Sequence, residues 1–257
     1  MTEHVRTSLE DGVLRVTLSR PDKKNALTNA MYAMLGETLT RAETDSSVRV
    51  VLFEAEGDSF TAGNDLGDFA AVAAGTLQRE DMKAHVFLSA LAAARKPYVA
   101  AVQGLAVGVG VTMLLHFDLV FVAEDARLST PFVDLGLVPE AASSLLLQAR
   151  VGYARAYAML GLGEPVDGRT AAEIGLVHSA VPAAEVRAKA LAAAKLLAAK
   201  PTGALQATKE LMRDAKAIAA VMSKESEVFG ARLKSPETAE ALRAFAERRP
   251  PDFRKFS

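Results

Sequence analysis

Apolar and polar side chains alternate from Val13 to Leu18, the period-two pattern of a strand with one covered face. Arg20-Pro21-Asp22 marks a turn. Thr28 or Asn29 then caps a helix whose apolar stripe is Met31, Met34, Leu35, Leu39 and Ala42. Residues 48–53, VRVVLF, are apolar enough for a strand buried on both faces. Patterning weakens across 67–83, read as a mobile segment, and helical spacing returns at 84–94.

A buried strand at 98–102 is broken by Gln103 and Gly104, and a loop with Gly108 and Gly110 leads into an apolar helix at 111–116. Strands follow at 118–123 and 127–128, then a loop-rich apolar stretch at 131–140. Helices are expected at 141–148 and 151–160, a helical turn at 169–173 and a short strand at 177–181. From 184 the texture changes to an alanine-rich helix ending at Lys200, and Pro201 breaks it. More helix runs from 203 to about 233. Ser235-Pro236-Glu237 combines a capping serine, proline at the first helical position and an acid at the positive end of the dipole; this last helix runs to Arg249. The expected organisation is an α/β core of strand-and-helix units over 1–200 and a helical appendage over 201–257, packed on the core or on a neighbouring subunit.

The chain has 257 residues, 50% of them hydrophobic, enough for a sizeable core. Lys plus Arg number 30 and Asp plus Glu 31, a balance that gives no basic stripe for nucleic acid. With no cysteine, disulfides, thiolate nucleophiles and cysteine-ligated zinc are excluded. The four histidines, His4, His85, His116 and His178, stand at no ligand spacing, so no metal site is expected. No signal-peptide core and no run of membrane-spanning length is present, and a soluble cytoplasmic protein is expected.

Candidate chemistry sits where loops follow strands. Residues 97–116 place a glycine loop between a strand and a helix start, where backbone N–H groups lack intrahelical partners and favour negative charge. Such glycines also make ordinary tight turns. The dinucleotide pattern GxGxxG fails here, because its last position is Met113. A second small-residue loop, Phe60-Thr61-Ala62-Gly63-Asn64-Asp65-Leu66, also follows a strand, and Asp65 can pin it by accepting backbone N–H bonds. Two such loops aimed at one spot have the design of an oxyanion hole.

With Asn25-Ala26-Leu27, the 60–66 loop, the 104–110 loop and the Phe245-Ala246-Glu247-Arg248-Arg249 ending in this order, the sequence resembles the crotonase superfamily, the enoyl-CoA hydratase/isomerase family. The resemblance spans nearly the whole chain. It implies a spiral of repeated ββα units, a C-terminal helical region used in trimerisation, and trimers that often pair into hexamers. It also implies a coenzyme A thioester substrate, with the thioester oxygen between the N–H groups of Asn64 and Val109, and no cofactor. The family often has alanine and glycine at these two positions. Every non-proline residue supplies the N–H, so the departures matter little for chemistry. Hydratases of the family carry one glutamate where this chain has Thr112 and another where it has Phe132. Neither residue can activate water at neutral pH.

Pro139-Glu140-Ala141-Ala142-Ser143-Ser144 resembles instead the segment of Δ3,Δ2-enoyl-CoA isomerases in which one glutamate moves a proton between C2 and C4. A carboxylate among Val138, Pro139 and Ala141 is expected to be desolvated and to have a raised pKa. The alternative for Glu140 is an acid that merely favours a helix N-terminus. Asp134 is a possible second polar group, while His116 and Asp118 are expected to be structural. Lys24 is either a contact for a CoA phosphate or a solvated lysine; Ala26, Ala62, Asn64, Asp65, Leu66 and Phe132 are expected to bind the substrate or its CoA, and by resemblance Phe245 and Arg248 reach CoA from a neighbouring subunit. The readings, in order, are a 3-enoyl-CoA isomerase, a 2-enoyl-CoA hydratase using Glu140 alone or with Asp134, and a non-catalytic acyl-CoA-binding homologue.

Overall fold

The computed structural model describes residues 2–65, 67, 68, 71, 76–78 and 81–256. Among them a six-stranded sheet runs in the order β1 (Val5–Glu10), β2 (Val13–Leu18), β3 (Val50–Ala55), β4 (Tyr98–Val102), β6 (Leu119–Ala123) and β9 (Ser179–Val181). A three-stranded sheet is formed by β5 (Leu105–Val107), β7 (Arg127–Ser129) and β8 (Val166–Asp167). In the larger sheet β1 and β2 are antiparallel and the other pairs parallel. The helices are α1 (Asn29–Thr44), α2 (Ala84–Ala92), α3 (Val109–Thr112), α4 (Ser143–Val151), α5 (Tyr153–Gly161), α6 (Gly168–Glu173), α7 (Val186–Ala198), α8 (Thr202–Met212), α9 (Ala215–Leu233) and α10 (Pro236–Ala246).

Consecutive strands turn a corner between the sheets: β4 lies in the large one and β5 in the small one, and β6 and β7 repeat the step. After β3, Thr61 makes the same move as a single bridge to Ala106, which in turn pairs with Leu128. Thr61, Ala106 and Leu128 thus form one rung across three successive turns of a spiral. Strands β3 and β4 are buried along their whole length, as parallel strands covered on both faces must be. One cover is α7, whose Val186, Ala190, Ala194 and Ala198 form a buried stripe of four-residue spacing against β3, β4 and β6. Small side chains let that helix approach the sheet closely. On α1 the cap is Thr28, whose hydroxyl accepts from the Met31 N–H, and Met31, Leu35, Leu39 and Ala42 are buried as the spacing predicts.

Several elements differ from the sequence reading for identifiable reasons. Strand β1 was not expected, because only Val5 of its residues is buried and an exposed edge shows no apolar alternation. Strand β3 extends through Glu54 to Ala55; this buried acid is tolerated because Arg15 (2.8 Å) and the Thr17 hydroxyl (3.1 Å) on β2 donate to it. The helix expected at 111–116 already begins at Val109 and tightens into a 3-10 turn over Met113–His116. The single helix expected over 203–233 is two, because Arg213 is extended and turns inward to donate to His116 and to the Leu91 carbonyl. Helix α10 is capped by Ser235 and ends at Ala246. It buries Thr238, Ala241 and Ala244 and leaves Phe245 63% exposed. Among the described residues no helix is long and apolar enough to cross a membrane.

Candidate active site

The rung at Thr61 and Ala106 puts the two loops in step. Asn64 lies as far past Thr61 as Val109 lies past Ala106. The loops touch closely. A Cβ on Gly63 would meet the Val107 carbonyl oxygen at 2.8 Å, and one on Gly110 would meet Thr61 Cγ2 at 2.6 Å. Gly110 is therefore a close-approach position inside α3, not in the loop where the sequence reading put it; the turn is at Gly108, with φ 56°.

Val109 is the first residue of α3, so its N–H has no intrahelical acceptor. Asn64 pairs with Leu27 through its flanking groups: the Leu27 N–H donates to the Gly63 carbonyl (2.8 Å), and the Asp65 N–H donates to the Leu27 carbonyl (3.0 Å). The N–H of Asn64 itself thus faces away from Leu27.

The 20–27 segment braces this loop. Buried Asn25 accepts from the Arg20 N–H (2.7 Å), donates to the carbonyls of Glu56 and Ser59 (both 2.8 Å), and its own carbonyl accepts from the Thr61 hydroxyl (2.7 Å). Arg20 pairs with Asp65 at 2.7 Å. Burial pushes the Asp65 carboxyl up. The bonds from Arg20 and the Gly67 N–H, with the charges of Arg20 and Lys23, outweigh that and hold it below its ordinary range. The exposed Lys24 closes a turn, and its carbonyl accepts from the Ala62 N–H (2.8 Å). The Ala26 carbonyl accepts from Arg20 (3.0 Å). Leu66 and part of 67–83 lie outside the described residues.

Tyr32 was not singled out in the sequence, where it reads as one more core aromatic on α1. Its hydroxyl donates to Asn64 Oδ1. Burial, then the charges of Glu140 and Asp68, push the Tyr32 hydroxyl well up, so it stays a donor.

Glu140 and Asn64 line the same cavity, of about 700 Å³, together with Met82, Leu88, Met222 and Phe229. Its walls come chiefly from α2 and α9. Glu140 Oε1 is shielded from solvent and has no hydrogen-bond partner among the described residues. Burial, then the nearby charge of Glu225, pushes its carboxyl up to about 7. An unbonded carboxylate near half-ionisation at neutral pH, facing apolar walls, suits a group that takes and returns protons.

The helix after Glu140 starts at Ser143, not Ala141. Ala141 (φ 60°) and Ala142 (φ 56°) are left-handed, which costs an L-residue about 1–2 kcal/mol each. The Ala141 carbonyl accepts from His116 Nε2 (2.7 Å), and the Ala142 N–H donates to Glu225 Oε2 (2.6 Å). Arg213 donates to His116 Nδ1, so Nε2 carries the ring proton. Burial, then the Arg213 charge, pushes the His116 imidazole down to about 3, and it is neutral. Asp118 accepts from the Tyr98 N–H (2.7 Å) and from Lys209 (2.8 Å), the structural role expected of it.

The remaining residues singled out in the sequence do not line this cavity. Thr112 is fully buried in α3. Phe132 packs with Leu137 and Leu233. Asp134 is exposed on the 3-10 turn Val133–Leu135. Phe245 and Arg248 are exposed near the end of α10. Among the described residues no three His, Asp or Glu side chains are grouped to hold a metal ion.

A two-sheet spiral of this topology is the crotonase fold. The chain belongs to the enoyl-CoA hydratase/isomerase family, whose model matches residues 8–255, and it is an enzyme of that family. It is 35% identical over 246 residues to enoyl-CoA delta isomerase 2 of Rattus norvegicus, covering 94% of this chain and 63% of that protein. To 2,3-dehydroadipyl-CoA hydratase of Escherichia coli it is 34% identical over 250 residues, covering 96% and 97%. The crystal structure of an enoyl-CoA hydratase/isomerase from Pseudoalteromonas atlantica superposes with a TM-score of 0.92 at 39% identity, covering 98% of this chain and 100% of that one.

Proposed function

We propose that this enzyme moves the double bond of a 3-enoyl-CoA to the 2-position. Glu140 removes a proton from C2, and the C–H electron pair moves onto the thioester carbonyl, so that negative charge collects on its oxygen as a dienolate; as the carbonyl re-forms, the pair between C1 and C2 becomes the C2=C3 bond and the former C3=C4 pair takes a proton at C4. The N–H groups of Asn64 and Val109 stabilise that oxygen as an oxyanion hole. The same carboxyl, now protonated, delivers its proton to C4, so nothing is gained or lost overall. Lys24, Ala26, Ala62, Asp65, Leu66 and Phe132 are assigned to the CoA thioester, as are Phe245 and Arg248 from a neighbouring copy in a trimer or a hexamer. No cofactor takes part.

The observation that carries this reading is Glu140: a partly buried carboxylate with one oxygen shielded from solvent, pushed up to about 7, that shares the cavity with Asn64. The positions where hydratases are expected to hold their two glutamates carry Thr112 and Phe132, both buried and neither able to move a proton at neutral pH.

The test is Glu140→Gln with 2-enoyl-CoA and 3-enoyl-CoA supplied separately. Isomerase turnover falls by about 10³ or more, and product binding stays within roughly tenfold. A variant retaining over a tenth of the isomerase activity makes Glu140 a helix-terminal acid only. Hydration by the unaltered enzyme at a rate rivalling isomerisation makes the protein a hydratase.

A further inference from the structure

Glu140 is followed by two alanines, the residue type most at home in a right-handed helix, and both are left-handed. Nothing in their own chemistry favours that conformation. The Ser143 N–H closes a turn on the Glu140 carbonyl (3.0 Å) across them, and the one peptide group between them is held from both sides by side chains. Its carbonyl accepts from His116 Nε2 (2.7 Å) and its N–H donates to Glu225 Oε2 (2.6 Å). Both partners are buried, His116 to 1% exposure and Glu225 to 8%.

Each is secured in turn. Arg213 donates to the other ring nitrogen of His116. The second oxygen of Glu225 accepts from the N–H (2.9 Å) and hydroxyl (2.5 Å) of Ser144. The peptide beside Glu140 is thus gripped from the core side by His116 and from α9 by Glu225.

We propose that His116 and Glu225 are positioning residues: together they clamp the Ala141–Ala142 peptide and fix the direction in which Glu140 projects. This rests on Glu140 being the base. Without the clamp the two alanines relax to helical angles, α4 gains about half a turn at its start, and the Cα–Cβ bond of Glu140 is re-aimed. That relaxed helix is the one the sequence alone predicts at 141–148. The clamp has a second effect. Glu225 brings a negative charge near Glu140, which opposes ionisation of the base. The other titratable groups on this side are His85 of α2 and Lys216 of α9 on the cavity, Tyr32 of α1 behind Asn64, and His116 behind the peptide.

The experiment uses the full-length enzyme and 3-hexenoyl-CoA, with kcat, KM and product affinity measured from pH 5 to 9 for Glu225→Ala, Glu225→Gln, His116→Ala and His116→Gln. Circular dichroism reports folding. Glutamine at 225 keeps an oxygen for the Ala142 N–H and loses the charge; glutamine at 116 keeps a donor for the Ala141 carbonyl. Each alanine variant loses about 10²-fold in kcat, the cost of a misplacement of roughly 1 Å. Their KM and product affinity stay within about threefold. Each glutamine variant restores kcat to within about fivefold of the unaltered enzyme, and Glu225→Gln moves the acid limb of the kcat profile down by at least about half a pH unit.

Folded alanine variants with kcat within twofold of the unaltered enzyme overturn the clamp. So does a glutamine pair no better than the alanine pair, or an unmoved acid limb in Glu225→Gln. If an alanine variant does not fold, the glutamine kinetics and the acid limb decide. Glu140→Gln in the same assay separates the two failures. If it stays active, the base assignment is wrong. If it is inactive while the alanine variants are not, only the clamp is wrong.

Discussion

In a Glu140→Gln variant the cavity keeps a side chain of the same size and loses the group whose ionisation burial opposes. An ordinary glutamate titrates at 4.5, and here the carboxyl is pushed up to about 7. At 1.36 kcal/mol per unit, holding the charged form in the folded protein costs roughly 3 kcal/mol. Part of the residue still faces the cavity, and screening there brings the expected figure to about 1–3 kcal/mol. The direction follows from proton counting. Below pH 4.5 both folded and unfolded chains hold the proton and no cost exists. Between 4.5 and about 7 the unfolded chain has released it and the folded one has not, so stability falls as pH rises. Above that range the full cost applies. Glutamine has no such titration, so the variant's advantage over the unaltered enzyme is near its full size at pH 8 and only about a quarter of that at pH 5. Urea unfolding at both pH values and one protein concentration measures this. A stability difference between the two proteins that stays constant within about 0.3 kcal/mol from pH 5 to 8 refutes the raised carboxyl, because linkage then has nothing to act through.

A Gly110→Ala side chain would lie 2.6 Å from Thr61 Cγ2 and force the two loops apart; kcat is expected to fall at least tenfold. Thr61→Ser removes Cγ2 and keeps the hydroxyl bond to Asn25, so the double variant regains activity in the same assay; no recovery shows that the contact is not the cause. Exposed Phe245, Tyr153 and Tyr157, the last two stacked 5.9 Å apart, lead us to expect a trimer or larger at micromolar concentration. Sedimentation of a stable monomer rules that out and with it any role for Phe245 and Arg248 from a neighbouring copy.

The buried strands and the helices packed on them were legible because their apolar spacing answers directly to burial. The edge strand β1 was not, since an element with one buried residue leaves no pattern. Glu140 was legible through its apolar neighbours and the motif around it. The bonds that hold its loop were not. His116 and Glu225 lie 24 residues before and 85 after Glu140, and no local signal ties them to two alanines. The same holds for Arg213, whose inward turn splits a helix that propensity alone would run straight through. Gly110 was seen but misread, because a glycine needed for a close approach looks in sequence like a glycine needed for a turn.

The cavity wall contributed by α9 has a consequence for the order in which the protein matures. Chains fold from the N-terminus as they are synthesised, and every strand of the spiral precedes α9. A nascent chain that has completed all its strands still lacks Met222 and Phe229, so its carboxylate at 140 faces water through an open side. In that state the two causes that raise its carboxyl, enclosure and the charge of Glu225, are both missing. The enclosed cavity around Glu140 therefore forms only once α9 has been made and has docked.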